Sequence, residues 1–184
     1  MAVTTSAGAP NRSRPQLPPR ARKVVLTVHV IASVAWIGAT LCLLALSLTG
    51  LLSRDPQVQR AAYVALGTIV TVVGAPVSIA ALVSGIMISV GTRWGLFRHW
   101  WVLVSLVATA VMTAAVLFAL GPLMRGAAAD ALAAPPGTPV LDAVGDAAVS
   151  AVVAPCVALV ALSAITALNV FKPRGRVRFR ASRA

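Results

Sequence analysis

Residues 24–52 read VVLTVHVIASVAWIGATLCLLALSLTGLL, a run with no charged side chain. At about 1.5 Å of rise per residue, such a helix outreaches a hydrocarbon core about 30 Å thick, so the run can cross a bilayer with length left for tilt. The whole chain has the same character. Of its 184 residues 59% are hydrophobic and 11% charged, and the mean hydropathy is +0.90. A soluble domain of this size exposes too much surface for so few polar residues to cover, so lipid has to serve as solvent.

The remaining segments fall into place on either side. Residues 1–23 are rich in Pro, Ser, Ala and Arg, hold little that can be buried, and are expected to form a disordered basic tail. The apolar run after them is far longer than the core of a signal peptide, about 7–15 residues, and is expected to stay as an anchor. In Ser53-Arg54-Asp55-Pro56, Asp55 suits an N-cap and Pro56 the first helical position, where no backbone donor is lost. A second helix is expected from about Pro56 to Val90, with its membrane portion at 62–90 and a bend at Pro76 beside Gly74. GTRWGLFRHWW, Gly91 to Trp101, reads as an interfacial loop with Trp94, Trp100 and Trp101 at headgroup level. The third span is expected over 100–120, with Ser105, Thr109 and Thr113 on one face and a stop at Gly121-Pro122. Residues 122–146 are expected to form an Ala/Pro/Gly loop, 147–171 the fourth span, and 172–184 a basic C-terminal tail.

Charge fixes the expected orientation. Placing both tails and the 91–99 loop on one side collects 13 of the 16 Lys and Arg residues there. Asp55, Asp130, Asp142 and Asp146, the four acids, all fall on the other side. The positive-inside rule then puts both termini in the cytoplasm of a bacterial cell, and an even number of closely connected spans implies an antiparallel four-helix transmembrane bundle in the cytoplasmic membrane. The net charge of +12 is thereby explained by topology, and nucleic acid is not an expected partner.

Within the second helix, Gly67, Thr71, Gly74, Ser78, Ala81 and Gly85 recur at steps of four and three. Such a stripe of small residues lets a neighbouring backbone come close in lipid, and it is expected to be the main packing seam. The partners implied are the bilayer and, beyond it, a second copy or another membrane protein. Cys42 and Cys156 lie inside apolar runs with neither a disulfide framework nor a metal spacing and read as small buried hydrophobes.

The chain has two histidines, His29 and His99, and the topology places both near the cytoplasmic edge. His29, Ser33, Trp36 and Thr40 share one helical face. An ionisable group in the bilayer is costly and marks a functional site by default. Neutral imidazole also ligates haem iron and transition metals, and helix bundles house such cofactors between facing helices. The structural alternative is a neutral His29 hydrogen-bonded to the next helix, with His99 merely interfacial.

The run from His29 to Gly38, HVIASVAWIG, resembles the first-helix pattern of small helical membrane proteins of the copper-resistance D and HemJ-type protoporphyrinogen oxidase group. WGLFRHWWVLVSL, Trp94 to Leu106, is similar to a later helix start in uncharacterised actinobacterial integral membrane proteins with a domain of unknown function. For the oxidase, the resemblance implies a haem ligand at His29. The oxidase pattern also carries a Lys close to a His at a helix start, whereas the third span here has no Lys and has Ser105 in that neighbourhood.

Two functions are therefore expected to compete. One is a non-enzymatic structural, accessory or small-molecule passage protein. The other is a redox or metal-handling protein that holds haem b or copper through His29 and His99, or a methionine such as Met87 or Met112. Ion-coupled transport usually needs carboxylates near the midplane, and here every acid is expected outside. No nucleophile, base and orienting group can be assembled for hydrolysis when histidines and acids face opposite ways.

Overall fold

The computed structural model describes residues 17–91 and 99–173, and all of its elements are helical. Helix α1 covers Pro19–Leu52. The second membrane helix is built from α2, Pro56–Ile69, a π-helical turn at Val70–Gly74, and α3, Ala75–Gly91. The third consists of α4, Trp100–Ala115, a π turn at Val116–Leu120, and α5, Gly121–Ala133. A single turn α6, Val140–Val144, leads into α7, Ala147–Phe171. Four helices are long and apolar enough to cross a membrane: Pro19–Leu52, Pro56–Gly91, Trp100–Ala133 and Ala147–Phe171. The protein is an all-α polytopic membrane protein.

Local chemistry accounts for the starts and breaks. Asp55 caps α2 by accepting the Gln57 N–H at 2.8 Å, and Pro56 follows it. Each π turn ends two residues before a proline, at Gly74-Ala75-Pro76 and at Leu120-Gly121-Pro122. A proline removes one backbone donor and its ring crowds the carbonyl four residues earlier, so an α-helix cannot run through it unchanged. One extra residue in the turn relieves both problems without ending the helix.

This overturns the expected stop of the third span. The helix passes through Gly121-Pro122 and continues to Ala133, because the widened turn at Val116–Leu120 accommodates Pro122 and the Ala-rich stretch beyond it favours helix. Much of the segment expected to be loop is thus α5 and α6. The other end of the chain differs as well. Residues 19–23, expected to be disordered, form the start of α1 with Pro19 in its first turn. Residues 1–16 of the N-terminal tail, residues 92–98 of the interfacial loop with Trp94, and residues 174–184 of the C-terminal tail lie outside the described residues.

Two apolar cores are stacked along the bundle. Leu43, Tyr63, Leu66, Val70, Met124 and Val140 belong to the first, towards the end that carries the short connections. Ala32, Trp36, Ala81 and Leu162 form the second, nearer the opposite end. Polar cross-ties join the spans between them. Ser47 donates to Ala151 O at 2.6 Å, linking α1 to α7, and Thr113 donates to Ser78 O at 3.3 Å, linking α4 to α3. Beside the first core, Arg60 donates through Nε to Ala131 O at 2.9 Å and through a terminal nitrogen to Ala134 O at 2.7 Å. A cation there meets the negative end of α5 and satisfies carbonyls the helix leaves open. Buried Gln59 accepts the Val140 N–H at 2.9 Å and donates to Ser53 O at 2.8 Å, pinning both connections.

The small-residue stripe is divided between neighbours. A Cβ at Gly67 would lie 2.9 Å from Met124 O and 2.9 Å from Ala128 Cβ, so this glycine lets α5 approach. A Cβ at Gly85 would instead meet the His29 ring, and one at Gly74 would meet only ordinary contacts at 3.7 Å with its own helix. The π turn explains the split, because an added residue rotates everything after it by about 100°. Cys42 and Cys156 are also placed differently from the expectation: both are free and exposed on the outer, lipid-facing surface rather than buried.

Candidate functional site

His29 lies one turn and a half into the apolar part of α1, half-buried against α3. Its Nδ1 is 3.1 Å from Ala81 O and 3.0 Å from Ser84 Oγ. A carbonyl oxygen can only accept, so the contact with Ala81 requires the proton on Nδ1. The neutral ring is thereby held as its Nδ1–H tautomer, and Nε2 carries the free lone pair. Ser84 Oγ turns its own hydrogen towards the α3 carbonyls of Ala80 and Ala81, which leaves its lone pairs for the imidazole. Gly85 completes the seat: the ring's Cε1 is 3.2 Å from where a Cβ would stand.

His29 opens onto a chamber of about 470 Å³ between the four spans. Every span contributes a polar group to its wall: His29 from α1, Ser89 from α3, Ser105 from α4 and Asn169 from α7. Arg22 and Lys172 stand at the rim, at the end where α1 begins and α7 finishes. Among the described residues the lining includes no carboxylate. Thr109 and Thr166 donate to carbonyls of their own helices, at 2.7 and 2.8 Å, a usual way for hydroxyls to be satisfied in lipid. Ser105 does not follow them. It is 7% exposed, and its hydroxyl has no hydrogen-bond partner among the described residues. Its oxygen is shielded from the cavity too, so the unmade hydrogen bond costs about 1–3 kcal/mol.

A second cavity, of about 540 Å³, is almost wholly aliphatic and open on one side, where the exposed Val149, Val153 and Val157 line it. Residues of both π turns, Val70, Gly74, Val116 and Leu120, line it, together with Pro155 of α7. One residue, Trp36, lines both chambers. It is 3% exposed and packs with Ala32, Ala81 and Leu162, so it stands where the two cavities adjoin.

The other residues singled out from the sequence lie elsewhere. His99 occupies the N-cap position of α4 with its ring 6.3 Å from that of Trp101, and it is not part of the chamber wall. Met87 is exposed, and Met112 lines the aliphatic chamber. Among the described residues no three His, Cys, Asp or Glu side chains come together as a metal site would need. Of the stripe, Ala81 and Gly85 belong to the site through His29, whereas Gly67 and Gly74 do not. Sequence reading missed Ser84 altogether and singled out Ser105 only as part of a Ser/Thr face. Their step from Ala81 and their place on a Ser/Thr face were visible, but not what each of them faces.

Neither the curated proteins nor the solved structures contain a significant match to the chain. A family model described as predicted integral membrane protein (DUF2269) matches residues 23–173, which takes in three of the spans whole and the first from Lys23 onward. With most of its length covered, the chain belongs to this family of integral membrane proteins.

Proposed function

We propose that the protein is a non-enzymatic binding and passage protein for a small molecule, set in the bacterial cytoplasmic membrane with both termini in the cytoplasm. The observation that carries this reading is the convergence of a polar residue from every span on a single cavity. Helix bundles house ligands in this way, and a cavity of this volume suits a small organic molecule. The orientation is supported by the distribution of Lys and Arg, and labelling of single cysteines placed at the two ends tests it: ends on opposite faces would overturn it.

Catalysis has little support in the chamber. His29 has a carbonyl and a hydroxyl as neighbours rather than a carboxylate, and none of the four aspartates reaches the lining. Mass spectrometry of protein purified from its native membrane tests the reading. A small molecule retained by the wild type and lost in His29→Ala and Asn169→Leu, at unchanged fold, is the expected result. Equal retention by both variants would place the molecule outside the chamber and overturn it.

A second reading, haem b held by His29, is favoured by one observation. The bond from Nδ1 to a backbone carbonyl is the arrangement in which metal-ligating histidines are usually held, with Nε2 turned to the metal. His29 would be the single protein ligand, since His99, Met87 and Met112 do not line the chamber. A Soret band lost in His29→Ala is the expected sign of haem; a colourless preparation from cells with ample haem would end this reading. Copper finds less support, because soft sulfur ligands suit it and none lines the chamber.

A further inference from the structure

We infer that the bundle is built as two bodies that bend against each other about a belt of weakened turns, one in each span. The two apolar cores fall on opposite sides of this belt. In α1, Gly38 parts Ala32 and Trp36 of one core from Leu43 of the other. In the second helix, the π turn at Val70–Gly74 and Pro76 part Tyr63 and Leu66 from Ala81. The third helix carries Met124 beyond its π turn and Pro122, and Met112, which packs on the other core, before them. In α7, Ala148 and Ala151 precede Pro155 and Leu162 follows it.

Each of these points is a soft place in its helix. Glycine disfavours the helix, proline removes a backbone donor, and a π turn is wider than the α-helix around it; kinks concentrate at such sites. The hydrogen bonds between spans respect the same division. Arg60, Gln59 and Ser47 bind partners in the body that holds Leu43 and Tyr63, whereas His29 and Thr113 bind partners in the other. The Ala151 carbonyl, which Pro155 deprives of its helix donor, is met at 2.6 Å by Ser47, so the break in α7 is supported from α1. The open aliphatic cavity straddles the belt. Leu123 and Val149 line it on one side and Met112 and Ala161 on the other, with Pro155 between. Closing of the two bodies on this cavity therefore uses space beside the belt and leaves both cores packed. The chamber beside His29 lies within one body and moves with it.

A bend of about 20° over a half-helix about 25 Å long displaces its tip by about 8 Å. Distances between paired spin labels on the full chain in phosphatidylcholine nanodiscs read such a displacement, with Cys42 and Cys156 replaced by alanine. Leu132 and Val170, both exposed, form a pair across the belt. Leu52 with Leu132, and Val90 with Val170, are exposed pairs within each body and serve as controls. The cross-belt distances are expected to spread over about 8 Å more than those of either control. Gly38→Ala is expected to shift the populations about fivefold towards the straighter form, since alanine favours an unbroken helix. A Cβ at Gly38 meets nothing within 4 Å, so this variant keeps the fold. Ala154→Leu, which fills part of the cavity beside the belt, is expected to narrow the cross-belt distribution by blocking closure.

Cross-belt distances no broader than those within each body would overturn the bend. A broad cross-belt distribution left unchanged by Gly38→Ala and by folded Ala154→Leu would overturn the belt as the place where it occurs. The division into two bodies stands whether or not the chamber holds a small molecule, so its test and that of the binding reading fail separately.

Discussion

Gly85 stands on α3 where any side chain would press on His29 of α1: a Cβ would lie 3.2 Å from the imidazole Cε1. The contact couples two features that look unrelated in the sequence, a histidine in the first span and a small-residue repeat in the second. It also yields a graded prediction. Gly85→Ala asks the ring to yield by a few tenths of an ångström, whereas Gly85→Leu fills its seat. Overpacking of this kind costs about 1–3 kcal/mol, so the leucine variant should melt well below the alanine variant in the same detergent. Equal melting temperatures for the two would show that the ring is not seated there.

Ser84→Ala tests the other side of the same seat. Nδ1 keeps its bond to Ala81 O, so only the 3.0 Å contact to the hydroxyl is lost. Interhelical hydrogen bonds in membranes average about 0.6 kcal/mol, and the expected loss of stability is of that order. Loss of the retained small molecule together with near-native stability would mark Ser84 as a residue that positions His29. A collapse in stability would assign it to packing instead.

The divided stripe makes Gly67 and Gly74 behave in opposite ways. At Gly67 an added methyl would stand 2.9 Å from the Met124 carbonyl, a backbone atom that cannot swing aside, so Gly67→Ala should push α2 and α5 apart and destabilise. At Gly74 nothing comes closer than 3.7 Å. Gly74→Ala should therefore be tolerated, and the better helix propensity of alanine, about 1 kcal/mol in an α-helix interior, sets the upper bound on any gain. Denaturant titration of the pair checks the contrast, and a drop for Gly74→Ala as large as that for Gly67→Ala would contradict the split.

The clamp formed by Arg60 should depend on geometry more than on charge. Its guanidinium bridges carbonyls of Ala131 and Ala134 at the end of α5, which one ammonium cannot span in the same way. Arg60→Met should cost about 1.5–3 kcal/mol, the range for hydrogen bonds to charged groups, and Arg60→Lys should recover only part of it. Thermal melting of the three proteins is the measurement; full recovery by lysine would show that charge alone suffices.

Gly121→Ala probes the π turn of the third helix. A Cβ there would sit 2.8 Å from Val116 O, the carbonyl that closes the widened turn. The variant should either lose stability or shift the turn, and in both cases the lining of the aliphatic chamber changes through Val116 and Leu120. An unchanged melting temperature would mean that the turn has room it does not show.

Length, hydropathy and the Asp55-Pro56 start are local properties, and from them the sequence by itself determined that this is an all-α integral membrane protein with four spans. It also pointed at His29, since an imidazole among aliphatic residues is visible in any reading. It misjudged the end of the third helix, because a proline after glycine signals a stop equally well whether the chain ends there or widens by one residue. It read one stripe where there are two contacts, because a period of four and three assumes a uniform helix and the π turn at Val70–Gly74 breaks the phase. Only the tertiary structure decided that Ser84 and Gly85 seat the histidine, that Ser105 has no partner among the described residues, and that Trp36 lines both cavities. The physical reason is that packing between helices in lipid depends on which faces meet across the bundle, and nothing in a single helix states its neighbour.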